Sequence, residues 1–333
     1  MNLHNALSQV SRTFAISAAE LPQALRNPLT ISYLLLRVSD CLEDNAQMDA
    51  PRKAHHLRTW AAVLNEEAPV TALTRRIADL DSADPEVYVA QNAERVIHEL
   101  RQLPSAIREP ITARVVETSL GMADWQDHGP YVEDEPALDN YMHYVAGVVG
   151  YLLTDVFAWY LPPIAERKEQ LMPLAHEYGL ALQTVNIIRG MRKDYERGWV
   201  FVPETFLNDA GLTRDSLFDP ACVDLAVPVV NRMVRKAEGH LWNGIGYITA
   251  FPRRHYRVRL AAMWPLLFAV KTLALSKDNT NVVLAEAKMG RDQVKRIVVN
   301  TRLFGWSNHW VRRYYKVLAS NRPGRMALSP TLW

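Results

Sequence analysis

Apolar residues recur along the chain with the spacing of helix faces, and prolines divide the sequence into segments of helical length. No part of the sequence shows a sustained alternation of apolar and polar residues bounded by hairpin turns, which is the pattern of half-buried strands. No internal repeat or low-complexity tract stands out. We therefore predict an all-α helical bundle that forms a single domain over residues 1–333.

One polar stripe lies on a segment that is otherwise apolar and begins at Leu29. At 100° per residue, Tyr33, Arg37, Asp40 and Asp44 fall on one helix face. Apolar residues point in the other directions and would hold this helix in a core. We therefore predict that a phenol, a guanidinium and two carboxylates line an interior cavity.

The same stripe ends in three carboxylates within about one helical turn, at Asp40, Glu43 and Asp44. Asp40 and Asp44 are i,i+4 neighbours, roughly 5 to 6 Å apart at Cβ, and like charges at this distance repel each other. Mg²⁺ would relieve the repulsion, because it binds carboxylate oxygens while keeping waters and binding substrate phosphates. The spacing therefore favours a magnesium site, with a solvated helix edge as the alternative.

A second amphipathic segment, residues 183–197, carries another charged face and ends before Gly198 and Pro203. The opposite side of this segment is apolar, as expected for a packed helix. This charged face could bind a ligand, or it could be a solvated basic face, and the sequence leaves both interpretations open. The polar face and its flank are formed by Gln183, Asn186, Arg189, Lys193, Asp194 and Arg197.

A third segment places Tyr141 and Tyr144 about one turn apart, just ahead of Gly147 and Gly150. Glycine inside a helix costs about 1 kcal/mol relative to alanine, so a pair of glycines indicates a kink or the close approach of another group. Helix packing alone would explain the glycines, but it would not explain the two tyrosines beside them.

Composition narrows the class of protein. A chain of 333 residues with 49% hydrophobic content can bury a large core, and a net charge of +2 gives no argument for nucleic-acid binding. Cys41 and Cys222 are the only cysteines, so the sequence has neither a disulfide framework nor a cysteine metal cluster. Residues 1–9 lack the basic start and apolar run of a targeting segment. We expect a cytoplasmic monomer in a reducing compartment.

Two segments bear on membrane contact. The longest nearly uncharged stretch, residues 144–165, contains Asp155 and Pro162-Pro163, so we predict a buried helix there and no transmembrane anchor. The basic, aromatic C-terminal segment, residues 301–333, contains six arginines and lysines and no acidic residue. It would suit peripheral contact with an anionic membrane, and it would equally suit a helix packed on the bundle with a solvated basic face.

The ordered blocks of the chain resemble the signature blocks of squalene and phytoene synthases. The blocks are residues 11–14 (Ser-Arg-Thr-Phe), 33–44, 141–147 and 183–189, and residues 285–291 are similar to the squalene branch. The resemblance implies an all-α isoprenoid synthase bundle around a central cavity. It also implies Mg²⁺-dependent, head-to-head condensation of two farnesyl diphosphates through presqualene diphosphate to squalene, with NADPH as reductant.

The resemblance assigns roles to particular residues of this chain. Tyr144, with Tyr33 nearby, would steer proton loss during closure of the cyclopropane intermediate, and Asp40, Asp44 and Arg37 would complete the catalytic set. The expected metal ligands are Asp40, Glu43, Asp44, Asn186 and Asp194. The expected substrate-binding residues are Ser11, Arg12, Phe14, Arg37, Tyr141, Val145, Gly147, Gln183, Asn186, Arg189, Lys193, Lys288 and Arg291.

The chain departs from the family pattern in its second polar segment, since the family usually has an acid at the position of Gly190 and often at that of Lys193. Our hypothesis is that Lys193 partly replaces a metal charge and contacts diphosphate directly, the alternative being a second site without function. The sequence also lacks a dinucleotide-binding glycine fingerprint, because no third glycine follows Gly244 and Gly246 at the required place. The prediction that NADPH is the reductant therefore depends on the resemblance alone.

Two further functions stay open from the sequence. A synthase of the same fold could make presqualene diphosphate, dehydrosqualene, hydroxysqualene or phytoene. A member without catalytic activity could bind an isoprenoid or a partner protein, and the altered Gly190 and Lys193 would favour this function. The residues that favour an enzyme are intact, namely Arg37, Asp40, Asp44 and Tyr144.

Overall fold

The computed structural model describes residues 1–285 and 289–320, except for the side chain of Arg12. Within these ranges the chain is helical, and its β structure is limited to an isolated parallel bridge between Tyr131 and Val200. The prediction of an all-α bundle is confirmed. The helices are α1 (Leu3–Val10), α2 (Arg12–Glu20), α3 (Gln23–Asp44), α4 (Ala50–Leu64), α5 (Thr71–Thr74), α6 (Pro85–Gln91), α7 (Ala93–Arg101), α8 (Ser105–His128), α9 (Glu135–Met142), α10 (Val148–Tyr160), α11 (Pro162–Ala165), α12 (Lys168–Glu196), α13 (Glu204–Asp209), α14 (Val223–Ala250), α15 (Tyr256–Ser276), α16 (Arg291–Phe304) and α17 (Asn308–Ala319).

Helix α3 brings the first acidic stripe into the bundle. Its apolar sides are buried, with Leu34 and Leu35 fully inaccessible, and it packs on α8 through a buried contact of 2.9 Å between the hydroxyls of Ser39 and Ser119. The three carboxylates occupy the last turn, where the helix dipole disfavours negative charge. Helix stability therefore does not account for their position.

Helix α12 packs against α10, α14 and α15. Its last turn borders the same cavity as the end of α3. The glycines near α10 permit a close approach between the two helices. A Cβ atom at Gly150 would lie 2.0 Å from the carbonyl oxygen of Ala175, and one at Gly179 would lie 2.1 Å from that of Ala146. A π-helical turn at His143–Gly147 joins α9 to α10, so the segment both changes helix type and packs closely.

Helix α15 is long and apolar enough to cross a membrane by composition alone, but 89% of its apolar window is buried inside the protein. It is a core helix in this structure. Trp264 donates from Nε1 to Thr301 Oγ1 at 2.8 Å, and the fully buried Arg259 donates from Nε to the carbonyl of Gly305 at 3.0 Å. These contacts attach α16 and α17 to the bundle.

The described part of the C-terminal segment forms a helix packed by its aromatic side. On α17, Tyr314 and Tyr315 are buried, whereas Arg312, Arg313 and Lys316 are exposed. This arrangement agrees with the packed-helix alternative for residues 301–320, and membrane contact stays a prediction. The remainder of the predicted segment, residues 321–333, lies outside the described residues.

Candidate active site

A cavity of about 880 Å³ opens between α2, α3, α10, α12 and α15. Its inner walls are apolar, with side chains such as Leu36, Val149, Phe157, Leu182 and Ala261. Its polar residues gather at the ends of α3 and α12. The volume lies within the range of small-molecule sites in proteins, which are mostly apolar with a few placed polar groups.

The stripe predicted on α3 lines this cavity with Tyr33, Arg37, Asp40 and Asp44. Arg37 donates from Nη2 to the hydroxyl of Tyr33 at 2.5 Å and from Nη1 to Glu86 Oε1 at 3.1 Å, and it lies 3.3 Å from Asp40 Oδ2. These contacts fix the guanidinium at the rim of the polar region.

Aromatic side chains support this arginine. The rings of Phe14 and Tyr33 stack with centroids 4.3 Å apart, and the Arg37 guanidinium lies 5.2 Å from the centre of the Tyr33 ring. Phe14 thus stands at the junction between the charged rim and the apolar walls, where both rings face the cavity. A cation in this part of the cavity would meet the electron-rich faces of aromatic rings.

The carboxylates around the opening disfavour one another's ionised forms. Burial, and then the neighbouring Asp44 and Glu86, raise the pKa of Asp40 to about 6 against the opposing effect of Arg37. Burial raises the pKa of Glu43 well above its ordinary value, and it also raises the pKa of Glu86 and of Asp194. A cation bound between these carboxylates would relieve their repulsion and stabilise their ionised forms.

The predicted face of α12 also borders the cavity, at Gln183, Asn186, Arg189, Lys193 and Asp194. The Lys193 side chain is exposed at the opening. Its positive charge lowers the pKa of both Glu86 and Asp194, opposing the larger effect of burial. Gly190 contributes backbone only, and a Cβ atom there would meet nothing closer than Asp194 Oδ2 at 3.6 Å.

The two tyrosines of the third segment have different surroundings. Tyr141 lines the cavity, is 4% exposed, stacks on Phe201 and meets Trp125 edge-on. Burial, and then the nearby Glu43, raise its pKa well above the ordinary value. Tyr144 is not among the described residues that line the cavity; its ring lies against Gly121. The geometry therefore favours Tyr141 over Tyr144 for contact with a substrate.

Of the remaining predicted site residues, some line the cavity and others lie elsewhere in the protein. Val145 lines the cavity, whereas Gly147 packs against the ring of His176. Ser11 caps α2 by accepting a hydrogen bond from the Phe14 amide at 3.2 Å. Arg291 is exposed at the start of α16 and is absent from the described cavity lining. Lys288 and the side chain of Arg12 lie outside the described residues.

Sequence reasoning missed one residue of the polar opening, Glu86, and gave no role to a second, Arg197, which it had placed on the charged face of residues 183–197. Glu86, which pairs with Arg37, lies on α6, within the first turn that Asp84 caps and Pro85 begins. The Asp-Pro-Glu order is a helix-start signal that could have separated it from the preceding loop. The second residue is Arg197, which joins α3 to α12; it lies 2.9 Å from Asp44 Oδ1 and 2.5 Å from Asp194 Oδ1.

The donor set on α3 suits Mg²⁺. Among the described residues no three carboxylate, histidine or cysteine side chains are assembled into a metal site in advance. Mg²⁺ needs no such cage, since one or two carboxylates with waters and substrate phosphates complete its octahedron. Asp40 and Asp44, one turn apart at the cavity opening, meet that requirement. On α12, Asp194 is engaged by Arg197 and Gly190 offers no side chain, so that donor set does not fit.

Comparisons with known proteins identify the family and the fold. Residues 7–296 match the family model described as "Squalene/phytoene synthase". The chain is 28% identical to squalene synthase of Homo sapiens over 88% of this chain and 67% of that protein, and 28% identical to presqualene diphosphate synthase of Botryococcus braunii over 90% and 72%. The solved structure of TcSQS with a ligand superposes with a TM-score of 0.80 at 23% identity, covering 98% of this chain and 92% of that chain.

The family model spans most of the sequence, and the superposed structure has the same helical fold. The chain belongs to the squalene/phytoene synthase family and is a squalene synthase-like prenyltransferase.

Proposed function

We propose that this protein condenses two farnesyl diphosphates head to head, through presqualene diphosphate, to squalene. The observation that carries the proposal is a cavity with apolar walls and a charged opening at the ends of α3 and α12. Similarity to squalene synthase of Homo sapiens supports the choice of substrate and product.

The opening suits the ionisation of an allylic diphosphate. Breaking the carbon–oxygen bond separates a carbocation from a diphosphate anion, so the barrier falls when fixed positive charge meets the anion. Arg37 and Lys193 stand on opposite helices at this opening and can take up that charge. Arginine suits the task because its planar fork matches phosphate oxygens. Mg²⁺ held by Asp40, Asp44 and Glu43 would supply further positive charge to the same oxygens.

The apolar walls protect the carbocation that is left when the diphosphate departs. A carbocation in a cavity lined by side chains such as Leu36, Val149 and Leu182 is kept from water, which would otherwise quench it to an alcohol. The stacked rings of Phe14 and Tyr33 lie between these walls and the charged opening. They can stabilise positive charge near the reacting carbon.

Closure of the cyclopropane ring requires loss of one proton, and we propose that Tyr141, which lines the cavity, steers this loss. Its buried phenol has a raised pKa, so it stays protonated at neutral pH and can orient a proton by hydrogen bonding at Oη. Contacts with Trp125 and Phe201 fix its ring. We therefore assign to Tyr141 the role that the sequence resemblance gave to Tyr144.

A second candidate function is synthesis that stops at presqualene diphosphate. The Botryococcus braunii protein with that name is as similar to the chain as squalene synthase of Homo sapiens. Among the described residues the cations that line the cavity all lie on α3, on α12 or just after α12, and they form no separate site for the phosphates of NADPH. The reduction step therefore has less structural support than the condensation.

Product analysis distinguishes these functions. The full chain is incubated with farnesyl diphosphate and Mg²⁺, with and without NADPH, and the products are identified by mass spectrometry. Squalene formed only with NADPH supports the first proposal, and presqualene diphosphate under both conditions supports the second. Binding of farnesyl diphosphate without any conversion would instead indicate a member of the family that lacks catalytic activity.

A further inference from the structure

Arg197 follows α12 as its C-terminal cap and reaches across the cavity opening. Its Nη1 lies 2.9 Å from Asp44 Oδ1 on α3, and its Nη2 lies 2.5 Å from Asp194 Oδ1 on α12. One guanidinium thus joins Asp44, the last residue of α3, to Asp194 near the end of α12.

The two bonds differ in their surroundings. The Asp194 side chain is 14% exposed and that of Arg197 is 26% exposed, so this pair is largely shielded from water, whereas Asp44 is 51% exposed. Removing one partner of a shielded ion pair leaves an uncompensated charge, which makes the contact with Asp194 the harder one to break. Asp44 remains free to turn one oxygen towards solvent or a bound ion.

A metal bridging α3 and α12 would need the carboxylate oxygen that Arg197 already holds. While Arg197 holds Asp194, the neighbouring positions of this helix face supply no other carboxylate for such an ion, because Gly190 has no side chain and Lys193 is a cation. Mg²⁺ demands near-ideal octahedral geometry from oxygen ligands and would meet positive charge on both sides here. The cation between the two helices is therefore a side chain.

We propose that Arg197 takes the place of a metal ion between α3 and α12, so that a bound diphosphate is met by metal at the α3 carboxylates and by fixed cations on the α12 side. This inference depends on the proposed function, because it assumes that diphosphate binds at this opening. It excludes Asp194 from the metal ligands that the sequence resemblance implied.

The test uses inorganic pyrophosphate as the ligand and Mn²⁺ as the metal. Equilibrium dialysis of the full-length chain gives the manganese and phosphorus bound per chain. Arg197→Gln releases the Asp44 and Asp194 carboxylates, so it should bind one more manganese ion per pyrophosphate than the wild type. Arg197→Lys keeps the cation and should retain the wild-type ratio. An unchanged ratio in Arg197→Gln would overturn the proposal.

Asp194→Asn supplies a second test that does not require the loss of Arg197. If Asp194 holds no metal, this variant should keep the wild-type ratio of manganese to pyrophosphate, and the loss of one manganese ion would refute the inference. Arg58→Gln is the matched control, because Arg58 also joins two aspartates, Asp124 at 2.8 Å and Asp127 at 2.7 Å, and does not line the cavity. Its ratio should not change.

The same dialysis separates failure of this inference from failure of the proposed function. If the wild type retains no phosphorus at saturating pyrophosphate and Mn²⁺, the opening is not a diphosphate site and both proposals fall. The other case is that the wild type retains phosphorus. If Arg197→Gln then binds no additional manganese, or Asp194→Asn loses manganese, only the proposed role of Arg197 falls.

Discussion

The ring of Tyr144 lies against Gly121 so closely that a Cβ atom at residue 121 would be 2.1 Å from the ring Cγ. This contact packs the near side of the ring against α8, and Tyr144 is absent from the described cavity lining, whereas Tyr141 borders the cavity three residues earlier. The two tyrosines therefore offer a matched pair of substitutions. One removes a hydroxyl at the cavity, and the other removes a hydroxyl at a helix contact.

Tyr141→Phe should lower turnover of farnesyl diphosphate about a hundredfold or more, since positioned proton transfer contributes about 10²- to 10⁴-fold. Tyr144→Phe should keep turnover close to wild type, because Tyr144 is not among the described residues that line the cavity. Steady-state kinetics of both variants checks this pair, with thermal melts to confirm folding. A large loss in Tyr144→Phe together with a normal Tyr141→Phe would reverse our assignment.

Asp40→Asn and Asp44→Asn should each lower turnover by at least about a hundredfold, comparable with the loss of one strong transition-state contact. The reason is that both carboxylates are proposed to hold Mg²⁺ against the departing diphosphate. Turnover at saturating Mg²⁺ is the measurement. Asp79→Asn, which removes an exposed carboxylate paired with Arg52, is the control and should be normal. Near-normal turnover in either of the first two variants would remove the metal role.

The raised pKa of Asp40 gives a prediction for stability. In the folded chain this carboxyl stays protonated up to about pH 6, whereas in the unfolded chain it ionises near its ordinary value of 3.8. The folded state therefore binds more protons between these values, so this contribution to stability is present below about pH 4 and is lost as the pH rises through about 6. Glu43, Glu86 and Asp194 act in the same direction.

Melting temperatures in EDTA at pH 5 and pH 7 test this sign. Asp40→Asn should lose less stability than the wild type between the two pH values, because the amide does not ionise. Asp79→Asn is the control: a hydrogen bond from Arg52 lowers the pKa of Asp79, so this carboxylate is ionised in both the folded and the unfolded chain at pH 5 and pH 7, and the variant should lose as much stability between them as the wild type. An identical loss of stability in Asp40→Asn and wild type would show that Asp40 ionises normally in the folded chain.

Lys193→Ala should weaken pyrophosphate binding about tenfold, the low end for a hydrogen bond to a charged group, because the side chain is exposed at the opening. Lys295→Ala is the control, an exposed lysine of α16 that does not line the cavity. Gly190→Asp with Lys193→Glu should make turnover depend more steeply on Mg²⁺, and the space beside Gly190 can hold the new side chain. A Lys193→Ala variant with unchanged binding would contradict our hypothesis for this residue.

Helical periodicity was sufficient to predict the fold and the composition of the two charged faces. Tyr33, Arg37, Asp40 and Asp44 line one cavity because α3 is a regular helix, for which 100° per residue is the correct rotation. Tyr144 received its predicted role from the resemblance and not from this count, and it lies in a π-helical turn whose wider spacing rotates the residues that follow. A sequence pattern carries no signal for such a turn.

Helical periodicity also could not predict contacts between segments that are distant in the sequence. Arg197 lay on the predicted face of the second segment, but its bond to Asp44 depends on how α3 and α12 pack. Glu86 reaches Arg37 from α6, which is separated from α3 by α4 and α5. Neither partner is close in sequence to the group it binds, so both required the three-dimensional arrangement.

The ratio of inorganic diphosphate released to farnesyl diphosphate consumed tests the central claim most directly. Head-to-head condensation releases one diphosphate and one proton from two substrate molecules, and reduction of the product with hydride releases the second diphosphate. The account predicts a ratio near one half without NADPH that rises to one when NADPH is added. A ratio of one without NADPH, with farnesyl alcohol as the product, would show hydrolysis in place of condensation and would contradict it.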